Sequence, residues 1–231
     1  MDNARHRVKL IEILKDIYDD PELRTALGFK GGTAAMLFYD LPRFSVDLDF
    51  DLTKQGNEDL IFDKLKAILG KHGTLREARK KRFTLFFQIS YERGAHTIKV
   101  EVSQRQGSSG FEPKTYLGIP MLVMKKADMA AGKLSAIITR KKPAMRDVYD
   151  TWFFLKNHWP VSEKVFEEKT GMSLDKGLKT IIKQVQDIKR NQILHGLGDL
   201  VERGQKDWAR DKLVEETVFY LKLFQESQKA K

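Results

Sequence analysis

Residues 30–52 read KGGTAAMLFYDLPRFSVDLDFDL and combine a glycine pair with a run of aspartates. The second half of this stretch alternates apolar and acidic residues, so that single apolar side chains separate Asp47, Asp49 and Asp51. Because successive side chains of a β-strand point to opposite faces, this alternation predicts a strand over 46–52 with three carboxylates on one face. Two unit charges about 4 Å apart near a protein surface repel by roughly 4 kcal/mol. Either water screens this face, or a cation holds the carboxylates together.

The Asp-x-Asp spacing suits a divalent metal ion. Asp47 and Asp49 would project from the same strand face about 6–7 Å apart, and hard cations such as Mg²⁺ take oxygen ligands. Glu101 lies between two valines in TIKVEVS (97–103) and is the candidate for a third carboxylate of a two-metal site. In such a site one metal activates the attacking hydroxyl and the other holds the phosphates. An ordinary strand with one solvated face is the alternative.

The glycine pair near the start of the stretch indicates phosphate binding. Two glycines let the backbone approach a phosphate closely, and the N–H groups that open the next short helix (33–39) would face the anion. The arginine and serine of RFS (43–45) would reach nucleotide phosphates through charge-assisted and hydroxyl hydrogen bonds. The predicted nucleotide-binding segment therefore comprises Lys30, Gly31, Gly32, Thr33, Arg43 and Ser45.

Composition narrows the class of protein. The 231 residues are 41% hydrophobic, which is enough to bury a core, and contain no cysteine, which favours a reducing compartment. No apolar run approaches the roughly 18 residues that a membrane span needs. We therefore expect a cytoplasmic protein without a membrane partner.

The charge balance indicates a phosphate-bearing partner. Lysine and arginine number 42 against 32 acidic residues, a formal charge of +10. Dense basic runs occur at 76–82 (REARKKR) and 139–146 (TRKKPAMR), with no aromatic residue among them. Such patches favour contact with phosphates over base stacking. A basic surface that binds no nucleic acid is an equal alternative.

The periodicity predicts a small α/β domain over 1–120 and a helical domain over 121–231 that completes the active site. Strands are predicted over 46–52, 83–91 and 97–103, with a hairpin turn at 92–96 and a short strand before Pro120. Helices are predicted over 5–18, 21–27, 33–39, 57–70, 125–140, 146–157, 162–169, 175–193 and 207–226.

These motifs resemble those of the AbiEii/AbiGii-type toxin nucleotidyltransferases, the family that includes the MenT toxins. Members carry a KGGTAL-like segment followed by R-x-S-x-D-L-D-F, and residues 30–50 match this pattern with Ala35 at the leucine-like position. Residues 133–150, KLSAIITRKKPAMRDVYD, are similar to the family's lysine, A-x-x-x-R stretch and RD-x-YD box.

The resemblance implies an α+β fold: a polymerase β-like nucleotidyltransferase core with a mixed sheet, and a C-terminal helical bundle. It implies transfer of a nucleoside monophosphate from an NTP with Mg²⁺ or Mn²⁺, in studied members to tRNA 3′ ends. It also implies the toxin of a toxin–antitoxin or abortive-infection system, whose partner is a DNA-binding antitoxin.

The resemblance also assigns residue roles. Asp47 and Asp49 would be metal ligands, and Ser45 would contact the triphosphate. Lys133 would bind the nucleotide phosphates and Asp147 would complete the site, with Asp150 as the alternative because basic residues are inserted before Arg146. The catalytic set is thus Asp47, Asp49, Glu101 and Asp147, the metal set is Asp47, Asp49 and Glu101, and the nucleotide-binding set gains Lys133, Arg146 and Asp150.

Three other functions fit the same residues. The enzyme could modify a protein or a small molecule instead of RNA. The chain could be a non-catalytic module that binds nucleic acid or an antitoxin. It could also be a metal-dependent phosphohydrolase, which would leave the KGGT segment without a role.

Overall fold

The computed structural model describes residues 2–92 and 97–229, and over these residues the chain forms nine α-helices and seven β-strands. The chain divides into two compact units. The sheet unit comprises 1–40, 44–106 and 111–124, and the helical unit comprises 41–43, 107–110 and 125–231. The helical unit therefore includes two short segments that are remote from it in sequence.

The sheet unit is built on one mixed sheet. Its strands are β1 (Leu27–Lys30), β2 (Leu48–Leu52), β3 (Thr74–Lys81), β4 (Thr84–Ser90), β5 (Ile98–Ser103), β6 (Phe111–Tyr116) and β7 (Ile119–Met124). They lie in the order β3-β4-β5-β2-β1-β7-β6, with β1 parallel to β7, β2 parallel to β5 and the other neighbours antiparallel. Strand β2, which carries Asp49 and Asp51, thus occupies the centre of the sheet. It is shorter than the predicted 46–52, and Asp47 lies in the segment just before it.

Four helices accompany the sheet: α1 (Asn3–Asp19), α2 (Pro21–Ala26), α3 (Gly31–Phe38) and α4 (Glu58–His72). Asp20 caps α2 by accepting from two backbone N–H groups, and Pro21 occupies its first position. The core includes the rings of Tyr18, Phe29 and Phe50, all at most 1% exposed, with Phe29 and Phe50 5.3 Å apart. Burial of these apolar side chains supplies most of the driving force for folding this unit.

The helical unit contains α5 (Lys126–Thr139), α6 (Met145–Lys156), α7 (Glu163–Thr170), α8 (Leu174–Gln186) and α9 (Arg203–Lys229). Helix α5 contacts α6, α7 and α8, and α9 contacts α6 and α8. Two short 3₁₀ turns, Arg190–Gln192 and Gly198–Leu200, connect α8 to α9. Within the part of the chain that the structure describes, no helix is long and apolar enough to cross a membrane.

Most predicted helices are confirmed, but the sequence analysis missed strands. The helix predicted over 21–27 ends at Ala26, and the following LGFK forms β1, a strand too short to show a period. The basic run at 76–82 lies largely in β3, an edge strand whose charged side chains are the usual protection against pairing with other chains. The predicted helix over 175–193 ends at Gln186. The turn predicted over 92–96 falls on residues that, except for Glu92, lie outside those described.

The close contact between α7 and α8 generates a stability prediction. A Cβ added at the buried Gly177 of α8 would collide with the ring of Phe166, which is itself fully buried. We expect Gly177→Ala to lower the free energy of unfolding by about 1–3 kcal/mol, the usual cost of overpacking. Denaturant unfolding of the purified protein would measure it.

The matched control is Gly70→Ala, in the last turn of α4, where an added Cβ meets nothing within 4 Å. There alanine's higher helix propensity should raise the free energy of unfolding by up to about 1 kcal/mol. Equal effects of the two substitutions would contradict the role assigned to Phe166.

Candidate active site

The predicted alternation of β2 is confirmed. Leu48, Phe50 and Leu52 are buried, and the intervening Asp49 and Asp51 are partly exposed. In the parallel pair of β2 and β5, Asp49 lies directly opposite Glu101. Neighbouring strands are about 4.8 Å apart, so the sheet places these two carboxylates next to each other on one face. The central sheet therefore concentrates negative charge at this point.

Gly31 forms the wall beside Asp49. It opens α3 with a φ of 80°, in the left-handed region that favours glycine. A Cβ added there would collide with the Asp49 carboxylate oxygen Oδ2. A glycine is therefore required twice, once for the backbone conformation and once for the space that Asp49 occupies. The start of α3 and the Asp49 carboxylate lie in direct proximity.

Hydrogen bonds fix the backbone that leads into β2. Thr33 Oγ1 donates to the backbone carbonyl of Asp47 at 2.5 Å, and Asp47 Oδ1 accepts from the backbone N–H of Lys99 at 3.2 Å. Lys30 Nζ forms an ion pair with Asp51, so this third aspartate has a cationic partner. Of the predicted nucleotide-binding segment, Gly32 and Ser45 are buried as well, Ser45 being 8% exposed.

His6 was missed in the sequence analysis. Its buried ring contacts the backbone carbonyl of Val46 through Nε2 at 3.0 Å and the hydroxyl of Tyr91 through Nδ1 at 2.9 Å. It thereby holds the residue immediately before Asp47. The helical spacing of His6 with the buried Leu10 and Ile13 of α1 would have placed it on the buried face of that helix.

The helical unit brings four predicted site residues together in a buried ion-pair cluster: Arg43, Lys133, Asp147 and Asp150. Arg140, which was not predicted, joins the cluster from the exposed side. Asp147 and Asp150 are three residues apart on α6 and share one helix face. Lys133 Nζ lies 2.8 Å from a carboxylate oxygen of each of them. The same lysine therefore contacts both Asp147 and Asp150, the two alternatives that the family resemblance left open.

Besides Lys133, Asp147 and Asp150 each have a second cationic partner, and these two partners differ. Arg43 donates to Asp150 from two guanidinium nitrogens, at 2.6 and 2.7 Å, and both side chains are at most 2% exposed. Arg140 Nε lies 3.0 Å from Asp147 Oδ2, yet its side chain is 47% exposed. Among the described residues, Asp147 Oδ2 accepts no well-aligned hydrogen bond although it is buried. Asp150 is therefore the more completely satisfied carboxylate.

Arg43 and Lys133 favour the charged form of Asp150, and Asp150 in turn favours theirs. Burial acts to raise the pKa of Asp150, but Arg43 and then Lys133 outweigh it and hold that pKa below its usual range. Burial acts in the opposite sense on Lys133, and Asp150 and Asp147 overcome it so that the pKa of Lys133 is raised. Geometry distinguishes the roles of the cluster members.

Arg146 is not a member of this cluster. It lines a cavity of about 880 Å³ in the helical unit, together with Arg140, Lys141 and Lys142. The predicted basic run at 139–146 therefore surrounds a concave site instead of being spread over a flat surface.

The carboxylates of the sheet unit match a divalent metal in donor type. Carboxylate oxygens on neighbouring strands are the donors that a hard cation such as Mg²⁺ prefers, and Asp49 and Glu101 have that placement. Asp47 follows the same chemistry, although its Oδ1 is used by the Lys99 N–H. Over residues 2–92 and 97–229, no group of three or more His, Cys, Asp or Glu side chains is arranged to hold a metal ion. The donor types fit, and the metal set itself stays a prediction.

The Gly31 environment generates the first prediction of this site. We expect Gly31→Ala to abolish most activity, since the new Cβ would displace the Asp49 carboxylate and strain the backbone. The measurement is the rate of nucleotide transfer, with circular dichroism to verify folding. Gly56→Ala, which shares a positive φ but meets nothing within 4 Å, is the control for strain alone. Equal activity of the two variants would contradict the proximity argument.

The buried cluster generates a prediction about stability and pH. Asp150→Asn leaves Arg43 buried without its anion and should lower the free energy of unfolding by about 3–5 kcal/mol near pH 7. Because the folded pKa of Asp150 lies below its ordinary 3.8, its contribution is present above that pH and is lost as the pH falls through the folded value. The free energy of unfolding of the variant should therefore fall less steeply than that of the wild type as the pH is lowered.

The control for this variant is Asp175→Asn, which removes an exposed pair with Lys179 on α8. An exposed pair of this kind contributes little, so the stability should hardly change. If the free energy of unfolding of Asp150→Asn fell with decreasing pH as steeply as that of the wild type, the role assigned to the cluster would be contradicted.

The comparisons with known proteins agree with this architecture. Two crystal structures from Helicobacter pylori share the fold: one protein provisionally named a nucleotidyltransferase, with a TM-score of 0.65 and 21% identity, and JHP933, with a TM-score of 0.56 and 19% identity. Each comparison covers 99% of this chain and 97% of the other. No curated protein sequence gives a significant match.

The fold expected from the sequence is confirmed: an α+β chain with a seven-stranded mixed sheet and C-terminal helices. The family described as "Nucleotidyl transferase AbiEii toxin, Type IV TA system" matches residues 12–213. That match spans the sheet strands, the buried ion-pair cluster and most of the helical unit. The chain belongs to the AbiEii nucleotidyl transferase toxin family of type IV toxin–antitoxin systems.

Proposed function

We propose that this chain transfers a nucleoside monophosphate from an NTP to RNA, with the 3′ end of a tRNA as the acceptor. The observation that carries the proposal is the contact between the start of α3 and the central carboxylates, where Gly31 lies against Asp49 and Asp49 lies opposite Glu101. Glycine backbone that opens a helix suits a triphosphate. Adjacent carboxylates suit the metal that accompanies the triphosphate.

Asp47, Asp49 and Glu101 are the residues that would hold a divalent cation, Mg²⁺ or Mn²⁺. When bound, such a metal lowers the pKa of the attacking hydroxyl and neutralises charge on the phosphates. Asp49 and Glu101, side by side on neighbouring strands, repel each other, so a cation bound between them would be stabilised. Both lie on central strands, which favours a fixed ligand geometry, and Asp47 directly precedes β2.

The other predicted residues have roles that follow from their chemistry. The backbone N–H groups at Gly32 and Thr33 would donate to phosphate oxygens, since α3 begins at Gly31. Ser45 would contact the triphosphate as a hydroxyl donor. Lys133 would supply positive charge to the nucleotide phosphates, and Asp147, whose Oδ2 accepts no aligned hydrogen bond within the described chain, would orient that lysine.

For Arg43 and Asp150 we propose a positioning role. Their bidentate pair is buried on both sides, and Arg43 would therefore act on the nucleotide through the residues it holds. Lys30, paired with Asp51, would contribute to phosphate binding next to the glycines. Arg146 would contact a phosphate group from the wall of its cavity.

The acceptor and the partner follow from the charge and the family. The formal charge of +10 favours a polyanionic acceptor, and the proposed acceptor is tRNA. Membership of a type IV toxin–antitoxin family implies an antitoxin partner, which we propose is a DNA-binding protein. We propose the cytoplasm as the compartment, since RNA and nucleoside triphosphates are present there.

The decisive experiment follows label from each of the four α-³²P NTPs, with Mg²⁺, onto purified total tRNA. We expect one NTP to label tRNA, and we expect Asp47→Asn to reduce the rate about 10²-fold or more, the scale of losing a group that stabilises transition-state charge. Asparagine retains an oxygen that can accept from the Lys99 N–H, so the fold should survive.

Asp63→Asn, an exposed aspartate on α4, is the control and should leave transfer unchanged. Label on protein but not on tRNA would replace the RNA acceptor with a protein hydroxyl. Release of phosphate or pyrophosphate without any labelled acceptor would overturn transfer altogether.

A further inference from the structure

The cavity in the helical unit has the features of a binding site that the catalytic carboxylates do not use. Its volume of about 880 Å³ falls within the range of small-molecule sites. The lining comes from two segments of the chain, residues 140–146 and residues 184–196. Both belong to the helical unit, so the site is formed by that unit alone.

Positive charge dominates the lining. Arg140, Lys141, Lys142 and Arg146 contribute four cations, and Asp187 is the carboxylate among the lining residues. Both lysines are exposed, so their ammonium groups are accessible to a ligand. Cations gathered around a concavity raise the local concentration of anions more than the same charges on a flat surface. The ligand that this lining favours is an anion with several oxygen acceptors, such as a phosphate ester.

The beginning of α6 adds to the positive potential. Ala144, Met145 and Arg146 line the cavity and open this 12-residue helix. Among the described residues, no side chain caps that end. Backbone N–H groups at a helix N-terminus carry partial positive charge and bind phosphate oxygens. The helix end and the basic side chains therefore favour the same kind of ligand.

An uncharged polar side chain in the cavity wall indicates that the ligand carries hydrogen-bond donors as well as an anionic group. Gln184 lines the cavity, and its Oε1 is buried without a hydrogen-bond partner among the described residues. A buried acceptor that lacks a donor is costly to the folded protein, so rotation of this amide towards a ligand hydroxyl or amino group in the cavity would be stabilising. Ribose hydroxyls and base amino groups supply such donors, whereas inorganic phosphate supplies none beyond its own protons.

We propose that this cavity binds a nucleotide unit, with its phosphate on the cations of 140–146 and its sugar or base against Gln184. Two sources share that chemistry, a nucleotide within an RNA strand and a free nucleotide. Arg140 connects the cavity to the ion-pair cluster: its Nε lies 3.0 Å from Asp147 Oδ2, and a guanidinium has further N–H donors for a ligand. This site extends the phosphate contact proposed above for Arg146, and it does not need the metal or the sheet carboxylates.

Binding is measured without catalysis, in full-length protein that carries Asp47→Asn, with EDTA present. The ligands are a fluorescent single-stranded RNA oligonucleotide and, separately, fluorescent ATP. We expect Lys141→Gln/Lys142→Gln to weaken binding at least about tenfold and to reduce the salt dependence, because each lost phosphate contact lowers that slope by roughly one. Lys164→Gln/Lys169→Gln on α7 removes the same charge from exposed positions outside the cavity lining and should have little effect.

Gln184→Leu distinguishes specific binding in the cavity from non-specific electrostatic attraction to a basic surface. It leaves the charge unchanged, so we expect weaker binding with the wild-type salt dependence. If the variant binds only the RNA more weakly, the natural ligand is a nucleotide within an RNA strand. If it binds ATP more weakly, the natural ligand is a free nucleotide. Equal losses in the two lysine pairs, or wild-type binding by Gln184→Leu, would overturn the proposal. Because catalysis is never measured, a failure here leaves the proposed transfer reaction unaffected, and the reverse also holds.

Discussion

The buried pair between Arg43 and Asp150 is the interaction on which the helical unit depends most. Both side chains are almost fully removed from water, at 2% and 0% exposure. Removing two charges from water costs several kcal/mol each, and only good geometry and further hydrogen bonds offset that cost. The bidentate contact supplies the geometry, and Lys133 supplies a second cation to Asp150. Such a pair contributes specificity more than net stability, because every alternative packing would strand a charge.

This requirement explains an unusual feature of the chain's organisation. Residues 41–43 belong to the helical unit although the rest of that unit begins at residue 107. Arg43 satisfies Asp150, and Tyr149 Oη donates to the carbonyl of Pro42 at 3.0 Å. Two adjacent residues of α6 thus hold two adjacent residues of the loop. The R-x-S-x-D pattern therefore begins with a residue whose partner lies 107 positions away in the sequence.

The carboxylates of the sheet unit repel one another, whereas the buried charges of Arg43 and Asp150 attract. They are partly exposed and lie close to one another, so repulsion has to be managed locally. Lys30 pairs with Asp51, and the backbone of Lys99 donates to Asp47. Asp49 and Glu101, at the centre of the sheet, are placed side by side by the strand register itself. A sheet that fixes two like charges at its centre has a geometry suited to binding a cation.

The sequence predicted those features that depend on local pattern. The alternation within the predicted strand 46–52, observed over 48–52, and most helices follow from residues close in sequence. Strand β3 was missed because its outward charges conceal the period, and β1 because four residues show none. The partners of Arg43 and the contact of His6 with Val46 depend on long-range packing, which no local pattern encodes. Motif residues could therefore be named from the sequence, whereas their contacts could not.

The contrast between Asp147 and Asp150 shows what those contacts add. In the sequence the two residues are equivalent candidates in one box. In the structure Asp150 is enclosed by Arg43 and Lys133, and all its charge is used within the protein. Asp147 shares Lys133, but its other cation is the half-exposed Arg140, and its Oδ2 has no aligned donor within the described chain. A group that acts on a substrate has to respond to it, and only the less satisfied carboxylate retains that capacity. Asp150 therefore fits a structural role, and Asp147 is the better candidate for a role in the reaction.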